Sequence, residues 1–198
     1  MDKYGVGQDP YCYKGTATLR NKLGIKDPVE LEKAEKDFSF YALEHVIEFE
    51  GPPYNLAYLC NIHRQLFEHV YDWAGKVRHV KITKKRTEFC IPERVIPEAE
   101  RCFRKLADSN NFLDLEFDDF IEAIAHLYSD INVVHPFREG NGRAQRILFE
   151  HIALYNGYHF DWNVIDKAEW IDANEAGYFG DDAKLVNIFR AITLENDA

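Results

Sequence analysis

Apolar residues recur at helical spacing through most of this chain, and that periodicity restricts its fold more than any other feature. The clearest stretch is LEFDDFIEAIAHLYSDINVV, residues 115–134. On a helix its apolar residues form one stripe, made of Phe117, Phe120, Ile121, Ile124, Tyr128 and Ile131. Such a stripe is stable only when other elements cover it. The sequence therefore predicts a mostly α-helical fold with this segment near the core.

Capping residues and the same spacing predict helices on either side. Asp27 is a good N-cap and Pro28 suits a first helical turn. The inward side of that helix should carry Leu31, Ala34, Phe38, Tyr41, Leu43 and Val46. Asn55 should cap a second helix that ends near Gly75. Later helices are predicted over residues 93–107, 143–155, 167–179 and 181–193.

A different period appears in residues 76–92, KVRHVKITKKRTEFCIP. Apolar and polar side chains alternate there around a polar TKKRT centre, which predicts a two-stranded β-hairpin. YHFDW, residues 158–162, is a second segment with strand character. Residues 1–26 carry glycines with interleaved tyrosines and should be irregular. Because no repeat or linker divides the 198 residues, we expect a single domain over residues 1–198.

Charge and cysteine usage exclude several classes of protein. The formal net charge of −10 speaks against a protein that coats nucleic acid electrostatically. The four cysteines form no CxxC pair, so neither a zinc site nor a disulfide framework is indicated. No run approaches the roughly 20 apolar residues that a membrane span needs, and the N-terminus lacks a basic region followed by an apolar one. We expect a cytoplasmic protein.

The segment VVHPFREGNGRAQR, residues 133–146, joins two predicted helices and concentrates chemically active groups. Gly140, Asn141 and Gly142 stand at a predicted helix start, where unpaired backbone amides attract anions and small side chains let a phosphate approach. Arg143 and Arg146 lie three residues apart, on neighbouring positions of that helix. This combination predicts a polyphosphate site.

Two further side chains of the segment suggest chemistry beyond binding. Glu139 can ligate Mg²⁺, which usually reaches proteins through one carboxylate and substrate phosphates. His135 has an ordinary pKa near 6.5, so a neutral imidazole can accept a proton from an attacking hydroxyl. The spacing fits neither a Walker A loop nor a dinucleotide fingerprint, and no second histidine completes a metalloprotease motif.

HPFREGNGRAQR resembles the signature of the Fic family, His-Pro-Phe-x-(Asp/Glu)-Gly-Asn-Gly-Arg-x-x-Arg, with every fixed position filled. TLRNKLGI, VYDWAGKVR and the order of helices around the loop are also similar to family members, so the resemblance covers nearly the whole chain. It implies a Fic-type helical bundle whose hairpin is the family's flap. It also implies transfer of AMP from ATP to a Ser, Thr or Tyr hydroxyl of a target protein, with release of pyrophosphate.

The resemblance assigns roles residue by residue. His135 would deprotonate the target hydroxyl, and Glu139 would hold Mg²⁺ between the α- and β-phosphates. Phe137 would point into the core and fix the loop. Nucleotide-binding positions follow from the same resemblance: Gly140, Asn141 and Gly142 as anion hole, Arg143 at the β-phosphate, Arg146 at the γ-phosphate, and Ile82, Asn174 and Tyr178 as further nucleotide contacts, with adenine lying toward Trp170.

Partners are also implied by the resemblance. The flap would hold an extended target segment by strand addition. Many Fic proteins carry an inhibitory helix, Ser/Thr-x-x-x-Glu-Gly/Asn, whose glutamate pairs with the arginine that is Arg146 here. No glutamate of this chain fits that pattern, and Glu195 in AITLEN is the nearest miss. The chain thus resembles toxins held by a separate small antitoxin, and DNA gyrase and topoisomerase IV are targets of related toxins.

Two alternatives stay open at this stage. The chain could be a degenerate Fic domain, or one that transfers no AMP, which binds nucleotide or antitoxin without turnover. Glu195 could also give weak self-inhibition in place of a separate antitoxin. The intact His135, Glu139, Arg143 and Arg146 favour an active AMP transferase.

Overall fold

A computed structural model describes residues 9–84 and 87–196, and the fold is mostly helical as the periodicity predicts. The helices are α1 (Pro28–His45), α2 (Leu56–Phe67), α3 (Pro92–Asp108), α4 (Phe117–Val134), α5 (Asn141–Tyr155), α6 (Lys167–Tyr178) and α7 (Ala183–Ile192). Short 3₁₀ turns span Asn110–Phe112 and Trp162–Val164. Within these described ranges, no helix combines the length and apolar character that a bilayer crossing requires.

Two small antiparallel sheets accompany the helices. The flap pairs β1 (Thr83–Lys84) with β2 (Thr87–Glu88), in the register Thr83 to Glu88. The strands include Thr83, Lys84 and Thr87 of the predicted TKKRT centre, whose residues 85 and 86 lie outside the described part. The paired segments are therefore much shorter than the hairpin predicted over residues 76–92. The second sheet pairs β3 (Tyr158–Phe160) with β4 (Thr193–Glu195). β3 confirms the predicted strand, whereas β4 begins at the residue predicted to end the last helix.

The core is built around α4, which packs against α3, α5, α6 and α7. Four of the six residues in its predicted stripe are essentially inaccessible, namely Phe120, Ile121, Ile124 and Ile131, and Tyr128 is buried with them. Phe117 is the exception, being 38% exposed at the first turn. The helix α5 also buries a mostly apolar face against α2 and α4, so the loop between α4 and α5 starts and ends on buried helices.

The first helix begins as predicted but turns a different face inward. Asp27 accepts hydrogen bonds from the amides of Val29 and Glu30, both at 2.9 Å. The buried side chains are Leu31, Glu35, Ser39 and Ala42, while Tyr41, Leu43 and Val46 of the predicted set are exposed. Relative to the prediction the helix is rotated about its axis, because Glu35 and Ser39 make hydrogen bonds with buried polar groups. The spacing of apolar residues gives no indication of such bonds.

The second helix is shorter than predicted. Asn55 caps it by accepting from the Tyr58 amide at 2.8 Å, but it ends at Phe67. The chain then continues through turns, and Gly75 folds back onto the same helix with φ +76°. A Cβ there would lie 2.8 Å from Arg64 Cβ and 2.9 Å from the Cys60 carbonyl oxygen. Gly75 therefore serves a close approach between backbones and does not end the helix.

The N-terminal segment from residue 9 is irregular, as predicted, yet it is firmly attached. Cys12 and Leu19 form a single antiparallel bridge. Asp9 pairs with Arg138 of the loop between α4 and α5, and both side chains are at most 3% exposed. The Tyr11 hydroxyl lies 2.8 Å from His79 Nδ1, at the base of the flap. This segment thus connects the flap with the loop.

Candidate active site

The loop between α4 and α5 carries the predicted catalytic motif, and two left-handed residues shape it. His135 ends α4 with φ +48°, and its amide donates to the Ile131 carbonyl at 3.1 Å. Gly140 precedes α5 with φ +81°. Only six residues, 135–140, therefore separate one buried helix from the next, which brings His135 close to the start of α5.

The His135 side chain is held in one orientation. Its Nδ1 lies 3.3 Å from the Asn132 carbonyl oxygen, which places the proton on Nδ1 and leaves the lone pair on Nε2. The Phe89 ring of the flap stacks on the imidazole, with centroids 3.7 Å apart. Burial, followed by the positive charge of Arg78, lowers the pKa of His135 to about 3. The side chain is therefore a neutral proton acceptor at pH 7.

Arg78 joins the flap to this histidine. It is 2% exposed, and its guanidinium donates to backbone carbonyls on both sides of the junction. Nε reaches the His135 carbonyl at 2.8 Å, while the Nη atoms reach Val80 at 2.6 Å and Cys90 at 2.5 Å. A buried charge is tolerated only with such hydrogen bonds, so Arg78 holds the base of the flap against the loop between α4 and α5.

The middle of the loop is anchored in the core. Phe137 is fully buried, as predicted, and it stacks on His63 with centroids 3.8 Å apart. Asn141 closes a local ring by accepting from the Phe137 amide at 2.8 Å and donating to its carbonyl at 2.7 Å. The Asn141 side chain is thus used up within the loop. At this position the start of α5 can therefore offer an anion only its backbone amide.

His63 is a functional neighbour that the sequence did not single out. The Gly75 amide donates to its Nδ1 at 2.9 Å, so the proton sits on Nε2 and is donated to the Glu139 carbonyl, also at 2.9 Å. Burial lowers the pKa of His63 to about 3. Its position on the buried face of α2 was the only available signal, and buried histidines more often merely pack.

Gly140 is the loop residue that has no room for a side chain. A Cβ there would lie 2.4 and 2.5 Å from two ring atoms of Phe67, in addition to the strained φ. Gly142 lies two residues further along the chain and is exposed. A Cβ added there would have no neighbouring atom within 4 Å. The two glycines of the motif therefore meet different requirements. Gly140 allows the backbone to approach the Phe67 ring, and Gly142 leaves the start of α5 uncovered by a side chain.

A cavity of about 280 Å³ opens in front of the loop. The flap, the end of α4, the start of α5 and one face of α6 enclose it. Its lining includes five of the predicted site residues: His135, Glu139, Asn141, Gly142 and Asn174. Trp170, Phe89 and Tyr128 supply most of the aromatic surface. A cavity with an aromatic wall and a helix N-terminus suits a nucleotide.

Glu139 fits a magnesium ligand by its chemistry. It lines the cavity, is half-buried, and its Oε1 accepts from the Gly140 amide at 3.1 Å. Over residues 9–84 and 87–196, no group of three or more His, Cys, Asp or Glu side chains is arranged to hold a metal. Mg²⁺ commonly binds through one protein carboxylate and takes its other ligands from substrate phosphates and water, so a single carboxylate at this position fits the ion.

The two motif arginines point in different directions. Arg143 extends toward α1 and α2, where it pairs with Glu35 and lies over the Phe67 ring at 4.5 Å. Arg146 extends toward α6, with its guanidinium 5.2 Å from the Trp162 ring centroid and 5.3 Å from that of Trp170. Among the described side chains, no carboxylate pairs with Arg146.

The three remaining predicted nucleotide contacts are divided. Asn174 lines the cavity and donates from Nδ2 to the Trp170 carbonyl at 2.7 Å, which leaves Oδ1 as an acceptor. Ile82 is 1% exposed and packs in the core at the base of the flap. The Tyr178 hydroxyl bonds the backbone of Glu88 in the flap. Ile82 and Tyr178 lie outside the cavity lining. The same holds for Gly140, Arg143 and Arg146, so the contact of these five residues with nucleotide stays a prediction.

Glu195 does not lie in an inhibitory helix. It belongs to β4, pairs with Tyr158, and is exposed at the edge near the C-terminal end of α5. Arg146 stands in the second turn of that helix, nine residues before its last residue. The structure thus gives Glu195 no helix of the inhibitory kind, and weak self-inhibition through this residue stays a prediction.

Comparison with known proteins agrees with this geometry. The sequence model of the Fic/DOC family matches residues 53–153. The chain is 40% identical to the "Probable protein adenylyltransferase Fic" of Escherichia coli over 195 residues, which cover 98% of this chain and 96% of the relative. It is 32% identical to the "Protein adenylyltransferase VbhT" of Bartonella schoenbuchensis, covering 96% of this chain and 40% of that protein.

Solved structures give the same picture. The BepC protein of Bartonella tribocorum with bound AMPPNP is 31% identical and superposes with a TM-score of 0.82, over 93% of this chain and 96% of that one. An N-terminal Fic domain from Bartonella quintana with bound ADP is 29% identical, with a TM-score of 0.85 over 94% and 95% of the two chains. Both structures contain an adenine nucleotide.

Proposed function

The chain belongs to the Fic/DOC family of protein adenylyltransferases, and from that premise we propose that it transfers AMP from ATP to a Ser, Thr or Tyr hydroxyl of a target protein. The observation that carries the proposal is the neutral His135, which carries its lone pair on Nε2 and lines a cavity next to the N-terminus of α5. The residue roles below are part of the same proposal.

Proton transfer belongs to His135. Its Nε2 accepts the proton of the target hydroxyl as the oxygen attacks the α-phosphorus, and the bond between that phosphorus and the bridging oxygen to the β-phosphate breaks. A pKa near 3 makes the imidazole a weak base in the unliganded protein. A bound triphosphate raises that pKa, because negative charge favours the imidazolium. The base thus strengthens when the donor is present.

Charge stabilisation belongs to the start of α5. Backbone amides at Asn141, Gly142 and Arg143 face the anion, with the positive end of the helix dipole behind them. Arg143 and Arg146 would meet the β- and γ-phosphates, which leave together as pyrophosphate. Glu139 would hold Mg²⁺, and the bound ion would neutralise charge on the phosphates.

The target and the regulator complete the proposal. The flap would take an extended segment of the target, with DNA gyrase or topoisomerase IV as candidates by family resemblance. A separate small antitoxin would supply the glutamate for Arg146, which would make this chain the toxin of a toxin–antitoxin pair. The absence of a carboxylate partner for Arg146 within residues 9–84 and 87–196 supports an external one.

Labelling tests the transfer. Purified protein is incubated with α-labelled ATP, Mg²⁺ and a bacterial lysate, and labelled proteins are separated by electrophoresis. The wild type should label at least one protein, and His135→Ala should lose at least about a hundredfold of that label while still binding ATP. His126→Ala, which changes an exposed histidine of α4, is the matched control and should label normally.

Equal labelling by His135→Ala and wild type would remove the catalytic role. Binding of ATP without any labelled band in the wild type would instead favour the alternative of a degenerate domain that binds nucleotide or antitoxin. Mass spectrometry of the labelled band identifies the target and the modified residue.

A further inference from the structure

Glu35 is a buried carboxylate on a helix whose other acidic side chains are exposed. It is 7% exposed in the middle of α1, four residues before the equally buried Ser39. Burying a carboxylate costs free energy unless it is paired and hydrogen-bonded. This chain nevertheless turns Glu35 and Ser39 inward and leaves Tyr41 and Leu43 in solvent. The contacts of Glu35 explain this choice.

Both carboxylate oxygens of Glu35 are used. Oε2 accepts from Arg143 Nη2 at 2.5 Å. Oε1 accepts from the hydroxyl of Tyr71, whose pKa is raised strongly by burial and by the charge of Glu35, so that the phenol keeps its proton and remains a donor. Ser39 Oγ accepts from the other terminal nitrogen, Nη1, of Arg143 at 3.1 Å.

The guanidinium of Arg143 is thereby held at its two terminal nitrogens and over one face, where the Phe67 ring lies 4.5 Å away. The edge of that same ring contacts Gly140, at the start of the proposed anion hole. An unrestrained arginine loses much rotamer freedom when it binds a phosphate, so an arginine already held by the protein binds more tightly. Two of its five N–H groups are engaged by Glu35 and Ser39, which leaves others for an anion.

We infer that Glu35 is a positioning residue, which holds Arg143 in the orientation that meets the β-phosphate of the donor. The inference rests on the proposed function, because it assumes that Arg143 contacts that phosphate. It adds α1 to the elements that build the phosphate site, through a residue outside the loop motif.

Equilibrium binding of ADP and of AMP tests this role without requiring turnover, since only ADP carries a β-phosphate. Glu35→Gln should weaken ADP binding by about tenfold, as expected for loss of a charge-assisted contact, and change AMP binding by less than about twofold. Arg143→Ala should weaken ADP binding at least as much. Adding Glu35→Gln to Arg143→Ala should have no further effect on the ADP to AMP ratio.

The matched control is Glu32→Gln, on the exposed side of α1, where the carboxylate pairs with Lys36 at 2.9 Å. It should leave both affinities unchanged. Should Glu35→Gln not fold, Ser39→Ala removes the other hydrogen bond to Arg143 and should weaken ADP binding by a smaller factor, again sparing AMP.

Three outcomes overturn the inference. Equal losses of ADP and AMP binding would make Glu35 a structural residue, and tighter ADP binding would make it a competing counter-charge. Unchanged binding of both nucleotides would leave it without a role at the site. Failure of the proposed function looks different, because the wild type would then label no protein from α-labelled ATP, whatever the effect of Glu35→Gln on ADP binding. An ADP to AMP ratio that Arg143→Ala leaves unaltered would remove the assumed β-phosphate contact, and the inference with it.

Discussion

At the scale of single residues, this site depends on neutral histidines and on close approaches more than on charge pairs. His135 and His63 each have one ring nitrogen bonded to the backbone in a way that assigns the tautomer. His63 fixes the Glu139 carbonyl immediately before Gly140, and Gly140 packs edge-on against Phe67. Contacts with α2 therefore position the loop, and they leave no room for a side chain at Gly140.

The two motif glycines give a residue-scale prediction. Gly140→Ala combines left-handed strain with a clash against Phe67, and should lower the free energy of unfolding by about 2–4 kcal/mol. Gly142→Ala meets no atom within 4 Å and replaces a helical glycine, so it should leave stability unchanged or raise it by up to about 1 kcal/mol. Urea unfolding of both variants checks this, and similar losses in the two would contradict the structure.

At the scale of elements, the flap is connected to its surroundings on one side. Phe89 donates to Ile82 at 3.1 Å, so the neighbouring pair Thr83 and Glu88 directs its backbone groups outward. The Tyr178 hydroxyl accepts from the Glu88 amide at 3.2 Å and donates to its carbonyl at 2.9 Å. The end of α6 therefore covers the outer edge of β2, beside the cavity.

This connection predicts a local change in Tyr178→Phe. Loss of the hydroxyl leaves the Glu88 amide to solvent, and its hydrogen exchange should accelerate by about three- to tenfold. The amides of Phe89 and Cys90 are internal controls, because they donate to the carbonyls of Ile82 and Val133. Unchanged exchange at Glu88, or equal acceleration at all three amides, would argue against the connection.

At the scale of the whole molecule, three histidines are uncharged in the folded protein at neutral pH. Burial lowers the pKa of His63 and of His135 to about 3, and that of His151 to about 4. In the unfolded chain each histidine has a pKa near 6.5. As pH falls below that value the unfolded state binds these protons first, so their contribution to stability is complete above about 6.5 and is lost progressively toward 4 and 3.

The free energy of unfolding should therefore fall between pH 6.5 and 4.5, by about 1.4 kcal/mol per pH unit for each such histidine once it is protonated in the unfolded state. Urea titrations at several pH values measure the slope. In His151→Gln the free energy of unfolding should depend less steeply on pH, by up to about 1.4 kcal/mol per pH unit. A slope that His151→Gln leaves unaltered would show that His151 is protonated equally in both states.

Much of the candidate site could be predicted from the sequence because its functional groups lie within one short segment, residues 135–146. A motif of twelve residues that spans a short loop and the first turns of the next helix places His135, Glu139 and a helix start together by its covalent continuity. The same locality explains why the caps Asp27 and Asn55 and the helices around the loop were predicted correctly, because caps and periodicity act over a few residues.

What the tertiary structure decided depends on contacts between distant segments. The face of α1 that turns inward is set by the pair of Glu35 and Arg143, which are 108 residues apart in the sequence. The spacing of apolar residues cannot predict such a pair. The end of α2, the role of Gly75 and the tautomer of His63 follow from one backbone approach between α2 and the turn after it. By itself, the sequence determined which groups perform chemistry at the loop. Only the folded chain decided which side chains hold them in place, because a buried polar partner can come from any segment that packing brings within hydrogen-bonding distance.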